Sequence, residues 1–158
     1  MTLLVLGLGN DLLGDDGIGL LAAASLEGHL GSRVEIARSG RSGLYLVEEL
    51  EGYDDAIILD SVLGEQPGRV RELPAAALRP LGPSAHYAGL PEALALARSA
   101  GLRVPGRLRI FAVEIGVVQT IGSTPSLAVR SAVDGLVALV KETASAWGYL
   151  PTREAIHA

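Results

Sequence analysis

The chain is expected to fold as an α/β protein, a three-layer sandwich with a mostly parallel central sheet flanked by helices, and three observations lead there. Short apolar runs of strand length alternate with longer stretches of helical periodicity. The first run, Leu3-Leu4-Val5-Leu6, passes straight into Gly7-Leu8-Gly9, the way a buried strand turns into a helix. Hydrophobic residues make up 49% of the 158 positions against 20% charged, the profile of a compact globular protein, and the length fits one domain.

Each element has its own signal. Thr2–Leu8 is too short for a helix and reads as a buried strand. Asp16–Leu30 reads as a helix with an acidic start, apolar at Ile18, Leu21, Ala22 and Leu26. Val34–Ala37 is a second strand, and Leu44–Leu50 a short helix closed by Gly52. Ala56–Leu59, AIIL, is a third buried strand that should end at Asp60. Gly68–Leu73 is a short strand after the Pro67-Gly68 turn. Leu90–Ala100 is a helix, Leu108–Val113 the next strand, and Pro125–Val140 the clearest helix, with Val129, Ala132, Val133, Leu136, Val137 and Val140 in helical rhythm. No repeat or linker interrupts this order, so residues 1–158 form a single domain, with a tail from about Trp147 expected to be loosely ordered.

Composition removes several classes of function. A net charge of −5 gives no electrostatic basis for binding nucleic acid or an anionic membrane, and 4% aromatic residues leave little for base stacking. The absence of cysteine excludes a thiol nucleophile, a disulfide framework and a cysteine zinc site, and is consistent with a cytoplasmic protein. No apolar run approaches the ~18 residues that a membrane-spanning helix requires.

The segment GLGNDLLGDDGIG, from Gly7, admits two readings: a glycine loop that cradles phosphate, or a loop that brings acids to a metal. A phosphate cradle wants backbone N–H groups and positive charge. This loop instead offers Asp11, Asp15 and Asp16, has Leu12 where a dinucleotide fingerprint has its third glycine, and is followed by no Lys-Ser or Lys-Thr pair. In open α/β sheets ligands bind beyond the carboxyl ends of the strands. Asp15 and Asp16 stand after the first strand and Asp60 after the third. His86 lies in the Ser84–Gly89 loop before a helix, whose positive end favours the neutral imidazole. Two carboxylates and an imidazole suit zinc, nickel or another divalent ion with open positions left over. The plainer alternatives are that Asp15 or Asp16 caps the following helix and that Asp60 forms a turn.

The same segments resemble the hydrogenase maturation proteases, endopeptidases that trim the C-terminal tail of the nickel–iron hydrogenase large subunit. GLGNDLLGDDGIG is similar to that family's opening signature. AIILDSVLGEQPGRV is similar to its strand-Asp-Ala segment, SAHYAGLPEALALA to its Ser-x-His loop and leucine-rich helix, and RIFAVEIGVV to its late strand. The resemblance implies an α/β sandwich with peptidase activity. It implies that Asp16, Asp60 and His86 are the metal-binding and catalytic set, and that they meet nickel already held by the large-subunit precursor, so that only nickel-loaded precursor is cut. Zinc or another divalent ion would then bind in vitro. Two positions depart from the family pattern: Arg41 in SGRSG, where threonine is usual, and Ser61 after Asp60, where alanine is frequent. No serine stands in a nucleophile elbow with a His/Asp pair, so the economical chemistry is metal-assisted or metal-licensed. Licensing is favoured, because an open site with two acids and one histidine binds a shared ion weakly when empty. The alternative is a non-catalytic nickel-binding or scaffold protein of hydrogenase maturation.

Overall fold

The computed structural model describes residues 1–74, 87, 89–116, 121–122 and 124–151. Its centre is a five-stranded sheet in the order β2-β1-β3-β5-β4, built from β1 (Leu3–Leu8), β2 (Val34–Ser39), β3 (Asp55–Leu63), β4 (Val70–Leu73) and β5 (Arg107–Ile115). All neighbours are parallel except β4, which runs antiparallel on the β5 edge with Val70 opposite Val113. The antiparallel edge follows from the chain between β3 and β4: the Pro67-Gly68 turn is too short for a crossover, so β4 must fold back.

Strand alternation sends side chains to two cores. Leu3, Val5, Ile57, Leu59, Phe111 and Val113 pack with helix α1 (Ile18–Leu26) and with α4 (Leu127–Arg130) and α5 (Val133–Ala146). Leu4, Leu6, Leu8, Ala56, Ile58, Ile110 and Ala112 pack with α2 (Leu46–Leu50) and α3 (Leu90–Ser99). The expected three layers are present, and the near-continuous apolar strands are the signature of a sheet covered on both faces.

Four expectations need correcting. The first helix begins later than Asp16: Asp11–Gly17 is a 3-10 turn, whose first residues are capped by Asn10 accepting from the Leu12 N–H at 3.0 Å. The helix expected over Pro125–Val140 is two pieces. Ser131 donates its hydroxyl to the Ala128 carbonyl and Ala132 N–H bonds Val129, a tightening that interrupts the helix while the buried stripe Val129, Ala132, Leu136, Val140 runs on. The tail is ordered past Trp147: Tyr149 is 4% exposed and donates its hydroxyl to the Asp55 carboxylate, and residues 152–158 lie outside those described. The third strand does not end at Asp60 but continues to Leu63, because β5 pairs with it as far as Ile115.

The added length of β3 shapes one edge of the sheet. β1 pairs with β3 only as far as Gly7 opposite Leu59, so from Asp60 onward β3 projects past its neighbour. The chain passes from β1 to β2 on one side, while β3 lies on the other. The gap at the end of β1 is therefore the point where strand order reverses, the place where open α/β sheets form their binding crevice.

Candidate functional site

The glycines of the opening segment act through close approach. A side-chain carbon at Gly19 would overlap the carbonyl oxygens of Leu8 and Leu59, and one at Gly7 would overlap Gly19. With hydrogens there instead, α1 sits flush on β1 and β3. Gly9 has φ +150° and lies against the Asp16 carbonyl, so it lets the loop turn back on itself. The loop is thereby pressed into the gap beyond β1, with Asp15 and Asp16 turned to different partners.

Asp16 faces β3. The Ser61 hydroxyl donates to Asp16 Oδ1 at 2.6 Å, and the Ser61 backbone N–H donates to Asp60 Oδ1 at 2.7 Å. One residue thus holds both acids. Asp60 is fully buried, and its other oxygen, Oδ2, accepts from the Tyr87 hydroxyl at 2.9 Å. Tyr87 is 2% exposed within the α2/α3 core. Burial, and then the adjacent Asp60 charge, push its phenol well above the ordinary tyrosine range, so it remains a donor. Asp16 is half-buried, and its Oδ2 takes no hydrogen bond from the described residues.

Asp15 faces away from this pair. It accepts from the Ser126 N–H at 2.6 Å and from the Ser126 hydroxyl at 3.3 Å, and Ser126 in turn caps α4. Asp15 is therefore a capping acid, as one reading of the sequence has it, but for a helix more than a hundred residues away rather than its own. The third member of the expected set, His86, lies outside the described residues, as do Ser84 and the rest of its loop up to Tyr87. Among the described residues no three histidine or acidic side chains converge as a metal site.

Other charged groups near this edge are engaged elsewhere. Arg41, which stands where the family usually has threonine, pairs with Glu48 at 2.5 Å and lies 3.7 Å from Glu49 on α2. Glu114, the glutamate of the late strand, is buried beside Gly64 and meets Arg71 at 3.4 Å. Two open cavities flank the loop, one of about 560 Å³ against Gly14, Gly17 and the outer face of α1, one of about 360 Å³ against Gly9, Asn10 and Gly40. They share Leu20 and Arg38, and neither is lined by Asp16 or Asp60.

Sequence reasoning finds Asp16 and Asp60 and their shared edge but passes over two residues. Ser61 stands out only as a serine with no nucleophile geometry where the family frequently has alanine, and Tyr87 only as an aromatic in a loop. The advance signal is the place of Ser61 directly after Asp60, where β3 runs past the end of β1 and a hydroxyl can reach across the crevice.

A family model for the HycI hydrogenase maturation protease matches residues 21–143. The hydrogenase 2 maturation protease of Escherichia coli (strain K12) is 32% identical over an alignment covering 99% of each chain. The hydrogenase expression/formation protein HupD of Thiocapsa roseopersicina is 29% identical over 96% of this chain and 71% of its own. Among solved structures, the hydrogenase maturating endopeptidase HybD from E. coli superposes with a TM-score of 0.76 over 94% of both chains at 26% identity. The NiFe hydrogenase maturation protease HybD from Thermococcus kodakarensis does so with a TM-score of 0.65 over 91% of this chain and 99% of its own, also at 26% identity.

Proposed function

Since the chain belongs to the hydrogenase maturation protease family and is a peptidase, we propose that it removes the C-terminal tail of a nickel-loaded hydrogenase large-subunit precursor, reading the nickel with Asp16, Asp60 and His86. The observation that carries this reading is the pair of acids joined by Ser61 at the strand-order reversal. Three lesser observations support it. Tyr87, bonded to Asp60, is the immediate sequence neighbour of His86. Leu63 at the end of β3, and Leu12, Leu44, Tyr45, Ile121 and Leu127 in segments that follow strands, are exposed at this same edge, which suits a protein substrate better than a small polar one. The two cavities flank the loop that carries Asp16 and have room for an extended chain.

The donor set fits a borderline divalent ion. Asp16 keeps one oxygen without a hydrogen bond from the described residues, and each Asp60 oxygen has lone pairs for more than one partner. The nickel belongs to the substrate. A divalent ion beside a scissile bond can polarise a carbonyl or lower the pKa of water. In this chain the acids serve recognition: Asp16 and Asp60 dock the precursor's metal centre, and the docked geometry sets where the tail lies. This is licensing by a metal the substrate brings.

The test is cleavage of nickel-loaded precursor by purified variants, followed as C-terminal mass loss. Asp16→Asn, Asp60→Asn and His86→Ala are each expected to lose cleavage by at least about 100-fold while keeping the parent circular dichroism spectrum, the scale on which lost docking geometry acts. Cleavage at the parent rate by His86→Ala would remove the histidine from the set, and parent rates from both Asp variants would overturn the reading.

A further inference from the structure

We propose that Ser61 and Tyr87 are positioning residues that set the orientation of Asp16 and Asp60 toward an incoming divalent ion, an inference that rests on the docking role proposed for the two acids. Ser61 is 4% exposed and lies on the same side of β3 as Leu59, facing the apolar wall of Phe111 and Val113. A hydroxyl in such a place is costly unless it is bonded. Its bond to Asp16 Oδ1, at 2.6 Å, is in the short range of charge-assisted O–H···O⁻ contacts. Tyr87 repeats the device from the opposite core, where an equally buried phenol spends its proton on Asp60 Oδ2.

The consequence is geometric. A carboxylate pivots about its Cβ–Cγ bond and can grip an ion with one oxygen or two. With Oδ1 held by Ser61, the plane of Asp16 is set, and Oδ2 is the oxygen that takes no hydrogen bond from the described residues. Asp60 is held at both ends, by the Ser61 N–H and the Tyr87 hydroxyl, so its plane is fixed before an ion arrives. Ser61 also couples the acids: its backbone fixes one and its side chain the other, so they move as a unit with β3. Partners of this kind around metal ligands typically change metal affinity by about 10–100-fold when removed.

A purely structural role, a staple between the Asp11–Gly17 turn and β3, would move stability and leave ion binding alone. The experiment therefore measures both on the purified chain with Ni²⁺ or Zn²⁺ alone, by titration calorimetry and by thermal melting. Ser61→Ala and Tyr87→Phe are each expected to weaken ion binding about 10-fold or more, with Tm within a few degrees of the parent. Ser61→Thr, which keeps the hydroxyl, is expected to retain most of the affinity. Should Ser61→Ala fail to fold, Tyr87→Phe carries the measurement, since it removes one oxygen from a ring that stays in place. Ion binding that is lost in Asp60→Asn but unchanged in both Ser61→Ala and Tyr87→Phe would overturn the positioning role alone. Ion binding by the parent that is indifferent to Asp60→Asn would overturn the reading of the site, and the positioning role with it.

Discussion

Asp15 and Asp16 are neighbours in the chain with different partners: Asp15 accepts from Ser126, and Asp16 from Ser61. The difference predicts different phenotypes. Asp15→Ala removes the acceptor for the Ser126 N–H and is expected to cost about 1 kcal/mol of stability, while Asp15→Asn, which can still accept, costs less. Urea unfolding checks this, and cleavage by Asp15→Asn should remain near the parent rate. Arg41→Ala is expected to shift stability by less than about 0.5 kcal/mol, since its pair with Glu48 joins two exposed side chains. It should leave the apparent substrate constant unchanged, because the guanidinium already has its partners. That Asp16 and Asp60 come to the same end of the sheet is legible in the sequence, because each stands just past a short apolar run of strand length. The job of Asp15 is only half legible: an acid at a helix start reads as a cap, but which helix it caps is decided by packing between residues 15 and 126, and no local pattern records that.

Among the elements, the close packing of α1 on β1 and β3 constrains the site. Gly19 approaches the carbonyls of Leu8 and Leu59 too closely for any side chain, so Gly19→Ala must push α1 off the sheet. The expected cost is roughly 1–3 kcal/mol, the usual range for overpacking, with a matching loss of cleavage as Asp16 is carried away from Ser61. A Gly19→Ala protein with parent Tm and parent activity would show that α1 does not set the position of the acid loop. The strand and helix order is readable from periodicity, and the sheet topology from the alternation of the two patterns. The extension of β3 past Asp60 is not readable, since it depends on β5 offering a partner as far as Ile115 while β1 stops early. The break between α4 and α5 is hidden for a similar reason. The apolar stripe continues through it, and the interruption comes from the Ser131 hydroxyl competing for a backbone carbonyl.

At the scale of the whole molecule, the acid site and the stability clamp stand at opposite ends of the sheet. At the amino ends of β3 and β5, Arg107 makes two bonds to the buried Asp55, at 2.7 and 2.8 Å, and stacks on Trp147, while Tyr149 donates to the same carboxylate. The Arg107 bond is the chief reason the Asp55 carboxyl is held below the ordinary range. Its contribution to stability is therefore complete above about pH 4, where the unfolded carboxyl is ionised, and is lost as pH falls through the depressed folded value. Burial, and then the Asp55 bond, push the Tyr149 phenol up to about 12. That contribution is whole below about pH 10 and is lost as pH rises through the folded value. Asp55→Asn should accordingly flatten the acid limb of a Tm-versus-pH curve, and Tyr149→Phe the alkaline limb. A curve for Asp55→Asn that is parallel to the parent below pH 4 would place the acid sensitivity elsewhere. The sequence suggests a loose tail here because Trp147 follows a helix with no strand signal after it. The clamp depends on Asp55 and Arg107, 52 residues apart, facing each other across a parallel pair and leaving a seat for Tyr149.

If cutting is licensed by a metal that the substrate carries, and the two acids read that metal, cleavage must depend on both at once. The most direct measurement is a paired time course on one large-subunit precursor prepared with and without nickel, sampled by mass spectrometry with the parent protein and with Asp60→Asn. Licensing predicts loss of the C-terminal tail only where nickel-loaded precursor meets the parent chain. Equal cleavage of the nickel-free precursor by the parent would contradict it.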